Sequence, residues 1–358
     1  MTATVVHVAS GREWRGGQRQ VWLLARELAR RGVAQVVVTG AGSELDGRLR
    51  AAGIRVRGAR WRAGLDPRAL LTLLAELRRG PALLHAHDAH ALTLAGLAAW
   101  GRPAPLVVTR RVDFPLRGRG FWRRADRVIA VSEAVAAVLR ADGIDPARIA
   151  VVHSGVDLAE AEAATPSGLR ARLGVPPAAP LAVHLGALVP HKDQATLLRA
   201  AALVRERCPG LHWVVAGEGE QRGALEALRD GLGLGDRLHL VGQVDEPLRV
   251  LAEADLFVMS SRDEGLGTSV LDAMARGIPV ASTDAGGLPE MLSGGAGLLV
   301  PVGDPSALAD AVTRIVTDPA LRSDLARRAR AAVCRFTAGR MAEEVLTVYR
   351  SLPHSIDG

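Results

Sequence analysis

Cysteine, lysine and long apolar runs are scarce in this chain, and each scarcity excludes something. Among 358 residues there are two cysteines, Cys208 and Cys334, both in helix-like segments. That excludes a disulfide framework and fits a reduced compartment. No uncharged apolar run reaches the ~18 residues a membrane span needs. The apolar start Val5–Ala9 is too short for a secretory signal and runs into GREWRGG. The expected location is the cytoplasm, with room for peripheral attachment at the inner face of the membrane. The dinucleotide fingerprint G-x-G-x-x-G follows neither first strand, which argues against a dehydrogenase. The GEG at 217–219 puts its third glycine at Gly223, out of place. No Asp-x-Asp pair stands in a suitable loop. Lysine occurs once, as Lys192, beside 44 arginines.

What is present divides unevenly. The net charge is +7. Residues 1–165 hold 25 Arg against 15 Asp and Glu, a surplus of +10; residues 166–358 hold 20 Lys and Arg against 23 acids, a balance of −3. A basic first half points to an anionic partner for that half. The segment RGRGFWRR (117–124) joins basic residues to Phe121 and Trp122. It suits an anionic membrane surface and equally a loop whose aromatics pack under an edge. No nucleic-acid recognition fold accompanies it, so no nucleic-acid partner is expected.

Apolar runs of strand length alternate with helical stripes along the whole chain. Thr4–Ala9, Val36–Thr39, Ala82–Ala86, Leu106–Thr109, Arg127–Val131 and Ile149–His153 read as strands, with helices between. The alternation restarts at Leu181–Gly186 and runs to Gly297–Val300. Repeated βα units predict doubly wound parallel sheets, and 358 residues at 48% apolar suit two α/β domains. The boundary falls within Pro166–Pro177. Ligands then bind beyond the carboxyl ends of the strands. Those ends carry Gly16-Gly17, His85-Ala86-His87-Asp88 and Thr109-Arg110-Arg111. His85 and His87 have no third ligand at a recognisable spacing, so no metal is expected.

The stretch Ser260–Glu290 concentrates the chemistry. After the run Ala254–Met259 come Glu264, Gly265 and Gly267, a Thr268-Ser269 pair expected at a helix N-cap, and Asp272 eight residues beyond Glu264. Glycines let backbone approach a ligand closely, and the helix start points N–H groups and positive dipole outward. That combination suits an anionic ligand flanked by hydroxyls, as in a sugar nucleotide.

This stretch resembles the Glu-x7-Glu signature of retaining GT-B glycosyltransferases of family 4, with Asp272 in place of the second Glu. The resemblance implies two Rossmann-like domains facing a cleft: an acceptor-side domain (1–165), a nucleotide-sugar domain (166–335) and a final segment (336–358) crossing back to the first. It assigns Glu264 to the donor sugar, Asp272 to the ribose and Lys192 to the diphosphate. Gly16, Gly17, Gly186, Gly217, Gly242, Val244, Gly265, Gly267, Thr268 and Ser269 become donor-binding backbone. His87, Arg110 and Arg111 fall on the acceptor side. Two departures stand out. Arg111 occupies the place of a family histidine and, always protonated, cannot act as a base; it can hold an anionic acceptor or the leaving phosphate. Ala187 replaces an arginine. The expected function is hexosyl transfer from a nucleotide-diphosphate sugar to a hydroxyl acceptor, an envelope glycan or lipid-linked precursor. Retention is expected, with neither metal nor further cofactor. An epimerase-like enzyme or a non-catalytic nucleotide-sugar-binding protein on the same fold is the alternative.

Overall fold

The structure, a computed structural model, describes residues 3–59, 61, 66–116, 118 and 120–353. Its strands are β1 (Thr4–Ala9), β2 (Gln35–Gly40), β3 (Val56–Ala59), β4 (Ala82–Ala86), β5 (Leu106–Arg110), β6 (Arg127–Ala130) and β7 (Ile149–Val151), then β8 (Leu181–Leu185), β9 (His212–Ala216), β10 (Leu238–Gly242), β11 (Leu256–Met259), β12 (Val280–Thr283) and β13 (Leu298–Val300). Among the described residues they form two sheets, ordered β3-β2-β1-β4-β5-β6-β7 and β10-β9-β8-β11-β12-β13. The strand pairs are parallel. Central strands such as Ala82–Ala86 and Leu181–Leu185 are buried along their whole length. Strands covered by helices on both faces read as continuous apolar runs for this reason.

The chain divides into two compact units. The first comprises Met1–Gly155 and Thr337–Gly358; the second is Val156–Phe336. The division therefore falls before the Pro166–Pro177 stretch. That stretch is tied to the second unit by side chains. Glu253 accepts from the N–H groups of Leu169 and Arg170 at 3.0 and 2.8 Å, and Arg276 donates to the carbonyls of Ala161 and Ala164.

The last helix, Ala338–Arg350, belongs to the first unit. Met341, Val345, Leu346 and Tyr349 share a core with Leu23, Leu24 and Leu28 of the helix Gly16–Arg30. Gly155 sits where no side chain fits: a Cβ there would lie 2.6 Å from Ala338 Cα. The Gln20 amide clasps Gly155 on both sides, donating to its carbonyl and accepting from its N–H, each at 2.8 Å. Among the described residues no helix is long and apolar enough to cross a membrane.

Candidate functional site

In an open doubly wound sheet, ligands collect beyond the carboxyl ends of the strands where the strand order reverses. That point lies between β8 and β11 in the second unit and between β1 and β4 in the first.

Beyond β8 the chain passes Gly186 and Ala187 into the short turn Pro190–Lys192, then the helix Gln194–Val204. The Lys192 ammonium is in direct ion contact with the Glu264 carboxylate, which follows β11. Their side chains are only 17% and 12% exposed. Ser261 Oγ also donates to Glu264, at 3.3 Å, and the Glu264 carbonyl accepts from Gly287 N–H at 2.9 Å. The two loops are stitched together. Ser260 Oγ donates to the Lys192 carbonyl (3.0 Å), Arg262 N–H donates to the His191 carbonyl (2.8 Å), and Arg262 Nε pairs with Asp193 (2.9 Å). Ala187 offers its carbonyl to Gln194 (2.9 Å).

Glycines set the floor. Gly217 has φ +149°, and a Cβ there would fall 1.9 Å from the Gly186 carbonyl oxygen. Gly242 has φ +78° and lies against Glu218; Val244 follows it, half-buried. The helix Thr268–Ala275 starts differently from the N-cap expected at Thr268-Ser269. Gly267 is the cap, at φ +94°, which glycine adopts without a Cβ penalty, and Thr268 and Ser269 are the first two helical residues. No side chain caps its opening N–H groups, so its positive end is available to a ligand. Gly265 is buried, and Asp272 lies inside this helix at 4% exposure.

At the other reversal point, Gly16 and Gly17 open a 15-residue helix. A cavity of about 240 Å³ lies there, lined by Gly17, Gln18, His87, Arg110, Arg111 and Trp122 among others. The structure thus brings together Gly17 and all three expected acceptor-side residues. Behind them stands a group the sequence reading missed. The β1–β4 register sets His7 beside His85, which supplies the third imidazole that His85 and His87 lacked on paper. The ring nitrogens of the three lie within 4.8 Å of one another. They are nonetheless engaged in hydrogen bonds. Arg111 donates to His87 Nδ1 at 3.2 Å, and His87 Nε2 meets His7 Nδ1 at 2.9 Å. His85 is held by Tyr349 (2.6 Å) and Thr109 (2.7 Å).

A guanidinium only donates, which fixes the tautomers along this chain. His87 accepts at Nδ1 and donates from Nε2 to His7, whose proton then sits on Nε2. That nitrogen has no partner among the described residues. Burial lowers the pKa of His7 to about 4 and of His85 and His87 well below 6.5, so all three are neutral at pH 7. Arg111 falls to about 10 through burial, partly offset by Asp88. Arg110 is lowered by burial too, against the nearby acids Asp142 and Asp113; it spends its donors on the carbonyls of Val112 and Phe114.

In the basic segment 117–124, Arg117 and Arg119 lie outside the described residues. Trp122 is buried beneath the Arg110 guanidinium (5.4 Å), and Phe121 packs into the space Gly96 leaves by lacking a Cβ. The outward aromatic is Trp100, 60% exposed, with Arg124 stacked over it at 3.9 Å.

Comparison with known proteins agrees with this architecture. Residues 14–160 match the family model described as Glycosyltransferase Family 4, and residues 168–332 the one described as Glycosyl transferases group 1. A lipopolysaccharide core biosynthesis glycosyltransferase, LpsE of Rhizobium meliloti, is 40% identical over 161 residues, 44% of this chain and 46% of its own length. A D-inositol 3-phosphate glycosyltransferase of Salinispora arenicola is 34% identical over 297 residues, 77% of this chain and 65% of its own. The chain spans about half to two thirds of the length of such curated relatives. The crystal structure of Anabaena HepE in complex with UDP-glucose superimposes with a TM-score of 0.85 at 22% identity, covering 98% of this chain and all of that one. The fold is that of the GT-B glycosyltransferases.

Proposed function

We propose, on the premise that the first unit belongs to Glycosyltransferase Family 4 and the second to the glycosyl transferases group 1 family, that this chain is a glycosyltransferase. It moves a hexose from a nucleotide-diphosphate sugar to a hydroxyl acceptor. The observation that carries the reading is the contact between Lys192 and Glu264 at the reversal point of the second sheet. A sugar nucleotide presents hydroxyls and a diphosphate side by side, and this site offers a carboxylate and an ammonium side by side. Glu264 accepts from the sugar hydroxyls and Lys192 turns to the diphosphate.

As the C1–O bond breaks, positive charge develops on the sugar ring and negative charge grows on the departing diphosphate. Lys192 and the uncapped start of the helix Thr268–Ala275 stabilise the latter. These groups supply the charge in a reaction that requires no metal, and the family resemblance favours retention of configuration. Asp272, low in the same helix, is assigned to the ribose. UDP-sugars head the list of donors, because HepE was crystallised with UDP-glucose. An envelope glycan or lipid-linked acceptor is favoured by the likeness to a lipopolysaccharide core enzyme. Trp100 with Arg124 stacked on it, together with the basic surplus of the first unit, supports peripheral contact with an anionic membrane.

The test is a thermal-shift screen of UDP, GDP, ADP and CDP sugars, followed by transfer assays with the best donor. One donor should stabilise the protein by ~2–4 kcal/mol at concentrations well above its Kd. Lys192→Ala should remove that shift. No shift with any sugar nucleotide would sink the reading.

A further inference from the structure

We propose that Asp193 is a positioning residue of the donor site: from a left-handed backbone it clamps Arg262, and the clamp holds the loops after β8 and β11 so that Lys192 meets Glu264. What the clamp serves rests on the glycosyltransferase reading; the clamp itself does not.

The first support is a backbone outlier. Asp193 has φ 44° and ψ 47°, and every other described residue with a positive φ is a glycine. A side chain at that angle is strained, although aspartate tolerates it better than most residues do. The chain has 39 glycines and places none here. Strain of this kind persists where the surroundings over-determine it, and it gathers at functional sites.

The second support is what the carboxylate does that a glycine could not. Asp193 is 8% exposed. Its Oδ1 accepts from Thr196 N–H at 3.4 Å and caps the helix Gln194–Val204. Its Oδ2 accepts from Thr196 Oγ at 2.7 Å and from Arg262 Nε at 2.9 Å. A cap needs only the bonds to Thr196. The bond to Arg262 reaches across to the loop after β11.

The third support is where that bond sits. Asp193 lies between the turn Pro190–Lys192 and the helix Gln194–Val204. A left-handed residue there breaks the helical path and keeps Lys192 off the helix surface. His191, Lys192 and Asp193 are each tied to the other loop. The His191 carbonyl accepts from Arg262 N–H, the Lys192 carbonyl from Ser260 Oγ, and the Asp193 carboxylate from Arg262 Nε. One arginine thus grips both neighbours of Lys192, and Glu264 stands two residues beyond it. A sugar nucleotide has to part Lys192 from Glu264. The clamp lies outside that pair, so the loops keep their register while the two side chains separate.

Lys192 is the only lysine in the chain, so its placement can be read without a substrate. The full chain is treated with an amine-acylating succinimidyl ester. Modification of Lys192 is followed by mass spectrometry, with the α-amino group of the chain as internal reference. Glu264→Gln frees the ammonium from its partner and should speed acylation at least about fivefold, the scale of one charge-assisted bond. Arg262→Gln leaves the cap of the helix intact, breaks the clamp and should speed it at least about threefold. Asp193→Asn keeps the backbone angle and the cap and should fall between Arg262→Gln and wild type. Arg262→Lys keeps a cation and should stay nearer wild type than Arg262→Gln. A residue that only capped the helix would leave Arg262→Gln at the wild-type rate.

Transfer assays with the donor found in the screen supply the second readout. Arg262→Gln should lower kcat/KM at least about tenfold, the scale of misplacing a reacting contact by less than an ångström or so. Beside Lys192→Ala the same change should cost less than about twofold, because it acts through the lysine. A purely structural role would cost the same factor in both backgrounds.

The proposal is overturned if Glu264→Gln, or both Arg262→Gln and Asp193→Asn, are acylated like wild type. It is equally overturned if Arg262→Gln costs as much beside Lys192→Ala as alone. The Arg262 side chain is 53% exposed, so its variants should fold, and melting curves check this; should Asp193→Asn fail to fold, Arg262→Gln decides. Faster acylation in the variants without sugar transfer from any donor would sink the glycosyltransferase reading alone, and transfer with unchanged acylation this positioning alone.

Discussion

Beyond β11 of the second unit an ammonium meets a carboxylate; beside β4 of the first, a guanidinium meets an uncharged imidazole. Both places are the reversal point of a doubly wound sheet. The backbone plan is shared and the electrostatics are not. In the second unit the loops carry their own neutralising pair. In the first, a cation lies against one of three neutral, buried histidines. The contrast follows the distribution of charge along the chain, +10 in residues 1–165 and −3 in the remainder. A scaffold fixes where a ligand sits, while a few loop side chains fix which charge it must bear.

The comparison can be broken or sharpened by measurement. The largest effect belongs to the ion pair. Glu264→Ala should lower kcat for sugar transfer by about 10²–10³-fold, the scale of losing one electrostatic contact made to the transition state. A fall of less than tenfold would remove the second unit's claim to the chemistry.

Acid comes next. His7 has a folded pKa near 4 against about 6.5 when unfolded. Between those values the unfolded chain binds the proton and the folded one does not. Stability is therefore full above pH 6.5 and declines as pH falls toward 4, by an amount on the order of a few kcal/mol for His7. The first unit buries three histidines, His7, His85 and His87, while His184, also near 4, is the fully buried one of the second. Hydrogen exchange at pH 5 against pH 7 should show the first unit loosening more. Equal loosening would mean the two cores respond alike.

Glycine substitutions give the smaller effects. Gly217→Ala should cost about 2–4 kcal/mol in denaturant melts, because a Cβ would overlap the Gly186 carbonyl at a backbone angle only glycine favours. Gly17→Ala meets only ordinary contacts and should change stability by less than about 0.5 kcal/mol.

Much of this organisation was readable from residue order. Strands such as Thr4–Ala9, Ala82–Ala86 and Leu181–Leu185 are apolar runs broken only by a histidine in each and by Thr4, and they are buried along nearly their whole length. The helix Glu44–Ala51 and the strand Val56–Ala59 escaped, being short, charged and interrupted by Gly47 and Gly58. The domain boundary was placed late because Pro and Ala look like a linker, whereas Glu253 and Arg276 pin that stretch from far along the chain. Lys192 was conspicuous as the lone lysine and Glu264 by its glycines, and the structure brings the two into contact. His7 gave no local warning. A single histidine in a strand acquires meaning only when strand order sets it beside His85. Tyr349 offered one clue, as the chain's only tyrosine, but its partner lies 264 positions away.

The return of the last helix to the first unit has a consequence for synthesis. A ribosome emits Met1–Gly155 early, yet Met341, Val345 and Tyr349 complete the core of that portion. Val156–Phe336 is contiguous and has its whole core available sooner. The core of the amino-terminal portion cannot close until Ala338–Arg350 has been made, after the whole of Val156–Phe336, which runs against the usual amino-first order of maturation on the ribosome.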